Sequence, residues 1–277
     1  MNKILILIIL ILFLPRELKG QKQGQELIDS LVTELNNSTI DTNKVNILNK
    51  LSWQYTLISE FNTAKKYADE ALNLSSSIVL KNEKGWELGK AKALNNQGVI
   101  FYSQGNYFDA LKKYAASLQI MEKLGNKRGI SFARGNIGVV YEKQGNYPAA
   151  LKEHFATLKL MEEMGKKEGI AGSHNNIGNI YMYMDNYSKA LNEYFEALKI
   201  SEELDDKQGI ANAHNNIGLI YDEQGDKLNA LKEYVASLKI RQEIEDLQGV
   251  SVSHNNIGII YFRLGNYEKA LKEHFAS

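Results

Sequence analysis

The stretch from Gly169 to Glu203, GIAGSHNNIGNIYMYMDNYSKALNEYFEALKISEE, decides the fold because it recurs along the chain. Counting forward from Gly178 in steps of 40 residues reaches Gly218 and Gly258, and counting back reaches Gly138 and Gly98. The aromatic three positions later keeps the same step: Phe101, Tyr141, Tyr181, Tyr221 and Tyr261. So does an Ala-Leu pair: Ala110-Leu111, Ala150-Leu151, Ala190-Leu191, Ala230-Leu231 and Ala270-Leu271. A fixed period in this range marks a stacked-repeat architecture.

Each unit reads as two helices. Ile170, His174, Ile177, Gly178 and Tyr181 fall at helical spacing, as do Leu191, Tyr194, Leu198 and Ser201 in the second half. Between them stand Gly145-Asn146, Asp185-Asn186, Gly225-Asp226 and Gly265-Asn266. These residue types tolerate left-handed backbone angles and suit a reversal from one helix into the next. A glycine inside the first helix costs roughly 1 kcal/mol of helix propensity against alanine. Its recurrence predicts that two helices approach too closely there for a side chain, with Tyr181 packed beside the gap. One such hairpin cannot bury its own apolar face, so neighbours must stack on it.

These positions resemble the tetratricopeptide repeat family. The likeness rests on the glycine, the aromatic three later, the helix B alanine, the position four beyond it (Tyr114, His154, Tyr194, Tyr234, His274) and a second small residue (Ser117, Thr157, Ala197, Ser237, Ser277). Two features depart from the family: a period of 40 rather than the usual 34, and no proline at the end of helix B. The extra length implies longer helices, as in the branch that includes kinesin light chains. The resemblance implies an all-α fold, a right-handed superhelical solenoid of stacked antiparallel helix hairpins.

Composition narrows the field. Lys+Arg and Asp+Glu are both 33, so no basic excess favours nucleic acid. With no cysteine there is no disulfide, thiolate zinc site or cysteine nucleophile. Pro148 falls in the first turn of a second helix, where a missing N–H is harmless.

Residues 1–20 hold Lys3, an apolar run from Ile4 to Leu14, and Pro15. The run is too short to span a bilayer and has the form of a secretory signal cut after Gly20, so the expected location is the periplasm, either free or as the periplasmic part of an inner-membrane protein. An uncleaved hydrophobic anchor is the alternative. Residues 21–40 form an expected capping helix with a stripe of Leu27, Ile28, Leu31, Val32 and Leu35. Residues 41–88 are a degenerate repeat and connector: Ser52, Tyr55, Ala64 and Ala71-Leu72 match repeat positions, Asp41 or Thr42 is the candidate N-cap, and Ser75 to Lys84 is the longer link. Residues 89–277 then hold five 40-residue repeats, the last expected to be truncated because no polar capping helix follows.

The most informative polar feature is an asparagine ladder. Asn96, Asn136, Asn176, Asn216 and Asn256 recur in every repeat, preceded by Asn95, Asn175, Asn215 and Asn255 in four, and Asn179 joins them in the third. In the long-repeat relatives, such asparagines face the concave groove and bond the backbone of an extended peptide. An amide carries both donor and acceptor, as a peptide unit requires. The same capacity would let these side chains tie neighbouring helices together. The groove implied by the resemblance also carries Lys92, Val99 and Tyr102, then Phe132, Val139, Glu142 and Lys143, then Met182 and Tyr183. Leu219, Asp222 and Glu223 follow, and Val252, Ile259, Phe262 and Arg263 close it. This mixed wall lacks the repeated Lys/Arg pattern of clamps that seize a C-terminal carboxylate.

His174, His214 and His254 share one repeat position. Stacked repeats lie about 10 Å apart, far beyond zinc–nitrogen bonds of about 2 Å, so these histidines read as packing residues between the two helices. His154 and His274 take the same reading. The Lys-Glu pairs of helix B, such as Lys152-Glu153 and Lys232-Glu233, read as a solvated convex surface. No G-x-S-x-G, H-E-x-x-H or phosphate-cradling loop occurs.

The expected function is therefore an exported, non-enzymatic scaffold that binds a protein or extended peptide on its concave face, with no cofactor, metal or nucleic acid. Membrane contact would come only through the signal segment or a C-terminal helix beyond Ser277. Arrays of this NNIG type also resemble the sensor regions of signalling proteins in Bacteroidota-like bacteria, which precede a histidine kinase, nucleotide cyclase or DNA-binding output. A purely structural spacer is the third alternative.

Overall fold

The computed structural model describes residues 24–39, 42–78 and 84–277, so the expected signal segment and the Asp41 cap lie outside the described residues. The described residues hold thirteen helices and no strand. They are α1 (24–36), α2 (Thr42–Leu57), α3 (Phe61–Ile78), α4 (Lys84–Ser103), α5 (Tyr107–Lys123), α6 (Lys127–Lys143) and α7 (Tyr147–Glu163). After these come α8 (Lys167–Tyr183), α9 (Tyr187–Glu203), α10 (Lys207–Glu223), α11 (Lys227–Glu243), α12 (Leu247–Arg263) and α13 (Tyr267–Ala276). The fold is the expected all-α stack of antiparallel hairpins. The chain divides into two compact units, one ending at Val140 and one running from Tyr141 to Ser277.

The turns explain the even helix lengths. At the end of α8, Asp185 takes a φ of 55°, its N–H bonds Met182 O at 2.9 Å, and Asn186 N–H bonds Tyr181 O at 2.9 Å. This pair of bonds is a Schellman C-cap. Asn186 then serves a second purpose: its side chain accepts from Lys189 N–H and caps α9. One residue thus closes one helix and opens the next, leaving no linker between them. Asn146, Asp226 and Asn266 do the same at their turns.

Residue types predict such turns only inside each repeat. The structure finds the same device between repeats, with positive φ at Gly125, Gly165, Asp205 and Glu245. Asn126, Asp206 and Asp246 cap the helices that follow, while Lys166 at that position makes no side-chain cap bond. The 40-residue period is therefore two halves of 20, each a helix of 17 residues plus a three-residue reversal. Pro148 lies in the first turn of α7, as its chemistry requires.

The repeated glycine does sit at a close approach, and the nearest neighbour is a ring, joined at Gly218 by the backbone oxygen of Ala230 at 3.3 Å. A Cβ at Gly178 would stand 2.6 Å from Cε1 of Tyr194, and one at Gly98 would stand 2.5 Å from Cε1 of Tyr114. Gly218 faces Tyr234, and Gly258 faces His274, in the same way. The second-helix aromatic thus fills the space that each glycine opens. In the second unit Tyr194 packs with Ala190, Ile217 and Ile220, and Tyr234 with Ala230, Ile257 and Ile260, all buried. Burial pushes both phenols upward.

In the first unit Ile28 and Leu31 of α1 bury against Ile47 and Leu51 of α2, with Val32 and Leu35 partly covered. Leu27, expected in that stripe, is exposed instead. Ser75 to Ile78, read as connector, continue α3 as helix.

Candidate functional site

The asparagines occupy the first helix of each repeat, and three of them, Asn96, Asn136 and Asn256, donate across repeats. In the first unit Asn136 Nδ2 donates to Asn95 Oδ1 at 3.0 Å, and Asn96 Nδ2 donates to Asn49 O at 2.9 Å. Asn49 in turn donates to Gly89 O at 3.0 Å. In the second unit Asn256 Nδ2 donates to Asn215 Oδ1 at 3.0 Å. Asn215 also donates weakly to Asn216 Oδ1 at 3.5 Å, and Asn179 Oδ1 accepts from the Tyr194 hydroxyl at 2.7 Å. The carbonyl oxygen of the Asn175 side chain is buried with no partner, and the Asn176 side chain makes no hydrogen bond among the described residues. Asn95 and Asn96 are buried, Asn175, Asn176, Asn215, Asn216 and Asn256 are half-buried, and Asn255 is exposed.

The ladder therefore begins one repeat earlier than its motif shows, at Asn49. Its signal was the spacing of 46 residues from Asn95, which the longer α3-to-α4 passage displaces from the 40-residue count. Gly135 takes the place that asparagine holds in the other repeats.

Two cavities open over the ladder in the first unit. One of about 190 Å³ is lined by Trp53, Lys92, Asn95, Asn96, Met121 and Phe132, among others. The other, about 400 Å³, is lined by Asn43, Asn46, Asn49, Lys50, Trp53, Gln54, Lys92 and Asn96. They meet at Trp53, Lys92 and Asn96. A larger open depression of about 890 Å³ runs along α3 between Lys44 and Ser77, among side chains of both charges, and holds no ladder residue. In the second unit the corresponding face carries exposed Gly172, Tyr183, Asn212, Val252 and Phe262. A Cβ at Gly172 would meet nothing within 4 Å.

The histidines do lie between first and second helices, with an added bond. His174 Nδ1 is 2.7 Å from Glu193 Oε2, His214 Nδ1 is 2.6 Å from Glu233 Oε2, and His254 Nδ1 is 2.7 Å from Glu273 Oε2. Glu233 and Glu273, each from a Lys-Glu pair, and Glu193 therefore turn inward rather than belonging to a freely solvated surface. His154 is fully buried with neither ring nitrogen partnered, and burial lowers its pKa to about 4. Arg241 is also buried; it donates to Gly249 O at 2.7 Å, Ser253 Oγ at 3.2 Å and Asn212 Oδ1 at 3.2 Å, stapling α11 to its neighbours.

Among the described residues no cluster of three or more His, Cys, Asp or Glu side chains could hold a metal ion. No described helix is long and apolar enough to cross a membrane. What the site offers is amides, aromatic faces and a few lysines, which is binding chemistry.

The family model described as "Tetratricopeptide repeat" matches residues 89–163 and 169–243, and a second model of the same description matches 252–273. Together they span more than half of the chain. This chain belongs to the tetratricopeptide repeat family. No curated protein matches the sequence. Among solved structures, this tetratricopeptide array is similar to BtubC (BKLC) from P. vanneervenii, at 20% identity and a TM-score of 0.66, over 76% of this chain and 86% of that one. It is similar to the apo form of RapI at 16% identity and a TM-score of 0.69, over 93% and 91% of the two chains. A STAND signal transduction ATPase with a tetratricopeptide repeat sensor, from Pyrococcus horikoshii, aligns at 17% identity and a TM-score of 0.74. That match covers 94% of this chain and 40% of the other. At such identities the likeness is one of fold.

Proposed function

We propose that the first-helix face of this array binds an extended peptide or protein segment, with the ladder amides bonding its backbone. The observation that carries the reading is the pairing of amides across repeats. In the Asn136–Asn95 pair, one N–H and one carbonyl lone pair are used internally. The Asn95 amide group keeps its two N–H donors and the Asn136 carbonyl keeps its acceptor sites, which is the complement of one peptide unit. The pairing also fixes the rotamers before a ligand arrives, so less ordering entropy is lost on binding. In the Asn136–Asn95 and Asn256–Asn215 pairs both uses considered for the ladder would be served by the same side chains.

The test begins with selection of a random displayed peptide library on the immobilised array. Calorimetry then compares a selected peptide on the parent and on the Asn176→Ala/Asn216→Ala variant. A loss of tenfold or more without unfolding supports the reading. An unchanged affinity removes the ladder from recognition, and failure to select any peptide removes the binding face.

A second reading makes this array the sensor part of a signalling protein; the likeness in fold to a tetratricopeptide repeat sensor supports it. Ligand binding coupled to an effector beyond Ser277 would distinguish it from a free adaptor. The apolar run Ile4–Leu14 adds export to the proposal. Residues 1–20 fused to a reporter active only outside the cytoplasm should switch it on, and a silent reporter would contradict export.

A further inference from the structure

Between α4 and the second helices α3 and α5 lies a cavity of about 220 Å³ that shares no residue with the two over the ladder. It is lined by Lys65 and Asp69 of α3, Gln97, Ile100 and Phe101 of α4, and Lys113 of α5, all in the first unit. Lys65 and Asp69 also line the open depression along α3, which gives the cavity its way in.

Every polar residue of this lining departs from the repeat. Gln97 stands where the later repeats carry Ile137, Ile177, Ile217 and Ile257. Lys113 stands where they carry Glu153, Glu193, Glu233 and Glu273. Across the 46-residue step that relates Asn49 to Asn95, Lys65 corresponds to Leu111, the leucine of an Ala-Leu pair, and Asp69 corresponds to Ala115. Ile100 and Phe101 keep the apolar and aromatic character of their positions. Stacking of hairpins does not require these departures, since the later repeats stack without them. Their convergence on one cavity points to a ligand.

The lining also has bonding capacity left over. Gln97 is 5% exposed, and its Nε2 donates to Asp69 Oδ1. That bond fixes the amide, because the flipped form would set oxygen against carboxylate. Gln97 Oε1 is then buried with no partner, which is costly for an acceptor. The second oxygen of Asp69 makes no hydrogen bond among the described residues. Neither Lys65 nor Lys113 has a carboxylate partner there, and Lys65 Nζ lies over the Phe101 ring, 5.8 Å from its centre.

We propose that this cavity binds a small free α-amino acid with an acidic side chain. Two ammonium groups and one carboxylate leave the lining one positive charge, and such an amino acid carries two carboxylates and one ammonium. Its carboxylates meet Lys65 and Lys113, its ammonium meets Asp69 and Gln97 Oε1, and its methylenes lie against Ile100 and Phe101. A cavity of about 150 Å³ takes benzene, so one of about 220 Å³ suits roughly nine heavy atoms, the size of aspartate. The site is separate from the peptide-binding reading, because none of its residues belongs to the ladder.

Calorimetry of the full chain with L-aspartate and with L-glutamate tests the proposal. Three companions run beside them: succinate lacks the ammonium, L-leucine lacks the second carboxylate, and N-acetyl-aspartyl amide presents the side chain as a peptide would. At least one of the two amino acids should bind once per chain, tenfold or more tighter than every companion. Gln97→Ile restores the residue of the later repeats and should fold; it and Lys113→Ala should each weaken binding tenfold or more. Circular dichroism checks that both variants are folded, and Lys232→Ala in the second unit should leave binding unchanged. No saturable binding of either amino acid overturns the inference. So does a companion that binds as tightly, or binding that survives either substitution in the cavity.

Discussion

The ring of Tyr194 lies over Gly178 so closely that a Cβ there would stand 2.6 Å from Cε1. The ring cannot swing away cheaply, because its hydroxyl donates to Asn179 Oδ1 at 2.7 Å. Gly178 and Gly172 are both interior to α8, yet nothing lies within 4 Å of a Cβ at Gly172. Gly178→Ala should therefore lose about 1–2 kcal/mol, overpacking outweighing the gain in helix propensity. Gly172→Ala should gain about 1 kcal/mol from propensity alone. Urea unfolding of the two variants checks the contrast, and equal effects at both sites would show that ring packing is not what excludes the side chain.

Glu245 ends α11 at a φ of 55°, where the equivalent residues in other reversals are mostly glycine. A side chain in the left-handed region costs roughly 1 kcal/mol. Glu245→Gly should raise stability by about that amount in chemical denaturation. A loss would mean that the contacts of the Glu245 side chain outweigh the backbone cost.

His154 is buried without partners and holds a pKa of about 4, below the 6.5 of an unhindered imidazole. The unfolded chain therefore binds the proton first as pH falls. Stability is complete above pH 6.5 and drops as pH is lowered from 6.5 towards 4, by about 3 kcal/mol in total. His154→Tyr, the residue found at the corresponding Tyr114, Tyr194 and Tyr234, should remove that share of the acid sensitivity. Denaturation curves at neutral and acidic pH give the comparison, and an equal fall in both proteins would contradict it.

The glutamates that reach the histidines offer another measurement. Glu233→Ala leaves His214 Nδ1, now 2.6 Å from that carboxylate, without its partner. A loss of about 1 kcal/mol is expected for one hydrogen bond between half-buried groups. No loss would show that Glu233 is merely solvated.

Most of the architecture was legible from spacing, because a repeat states its packing rule several times over. Gly178, Tyr181 and Ala190 each recur at the same step, and the Asp185-Asn186 reversal is written in residue types that take left-handed angles. The half-period escaped notice because its markers vary: Gly125, Gly165, Asp205 and Glu245 share a conformation but not a side chain. Asn49 escaped because the degenerate repeat that holds it is matched at its small and aromatic positions, Ser52 and Tyr55, and carries no second asparagine beside it. The inward turn of Glu233 could not be read from a Lys-Glu dipeptide, since only the packing of α10 on α11 brings His214 within reach.

The central claim is that the ladder bonds a ligand's backbone, so the direct measurement uses ligands that differ only there. A library-selected peptide is compared by calorimetry with versions N-methylated at single backbone positions, each side chain unchanged. The account predicts a loss of tenfold or more at positions repeating along the peptide, and little further loss for those versions on the Asn176→Ala/Asn216→Ala variant. Undiminished affinity at every methylated position would contradict it and leave recognition to side chains alone.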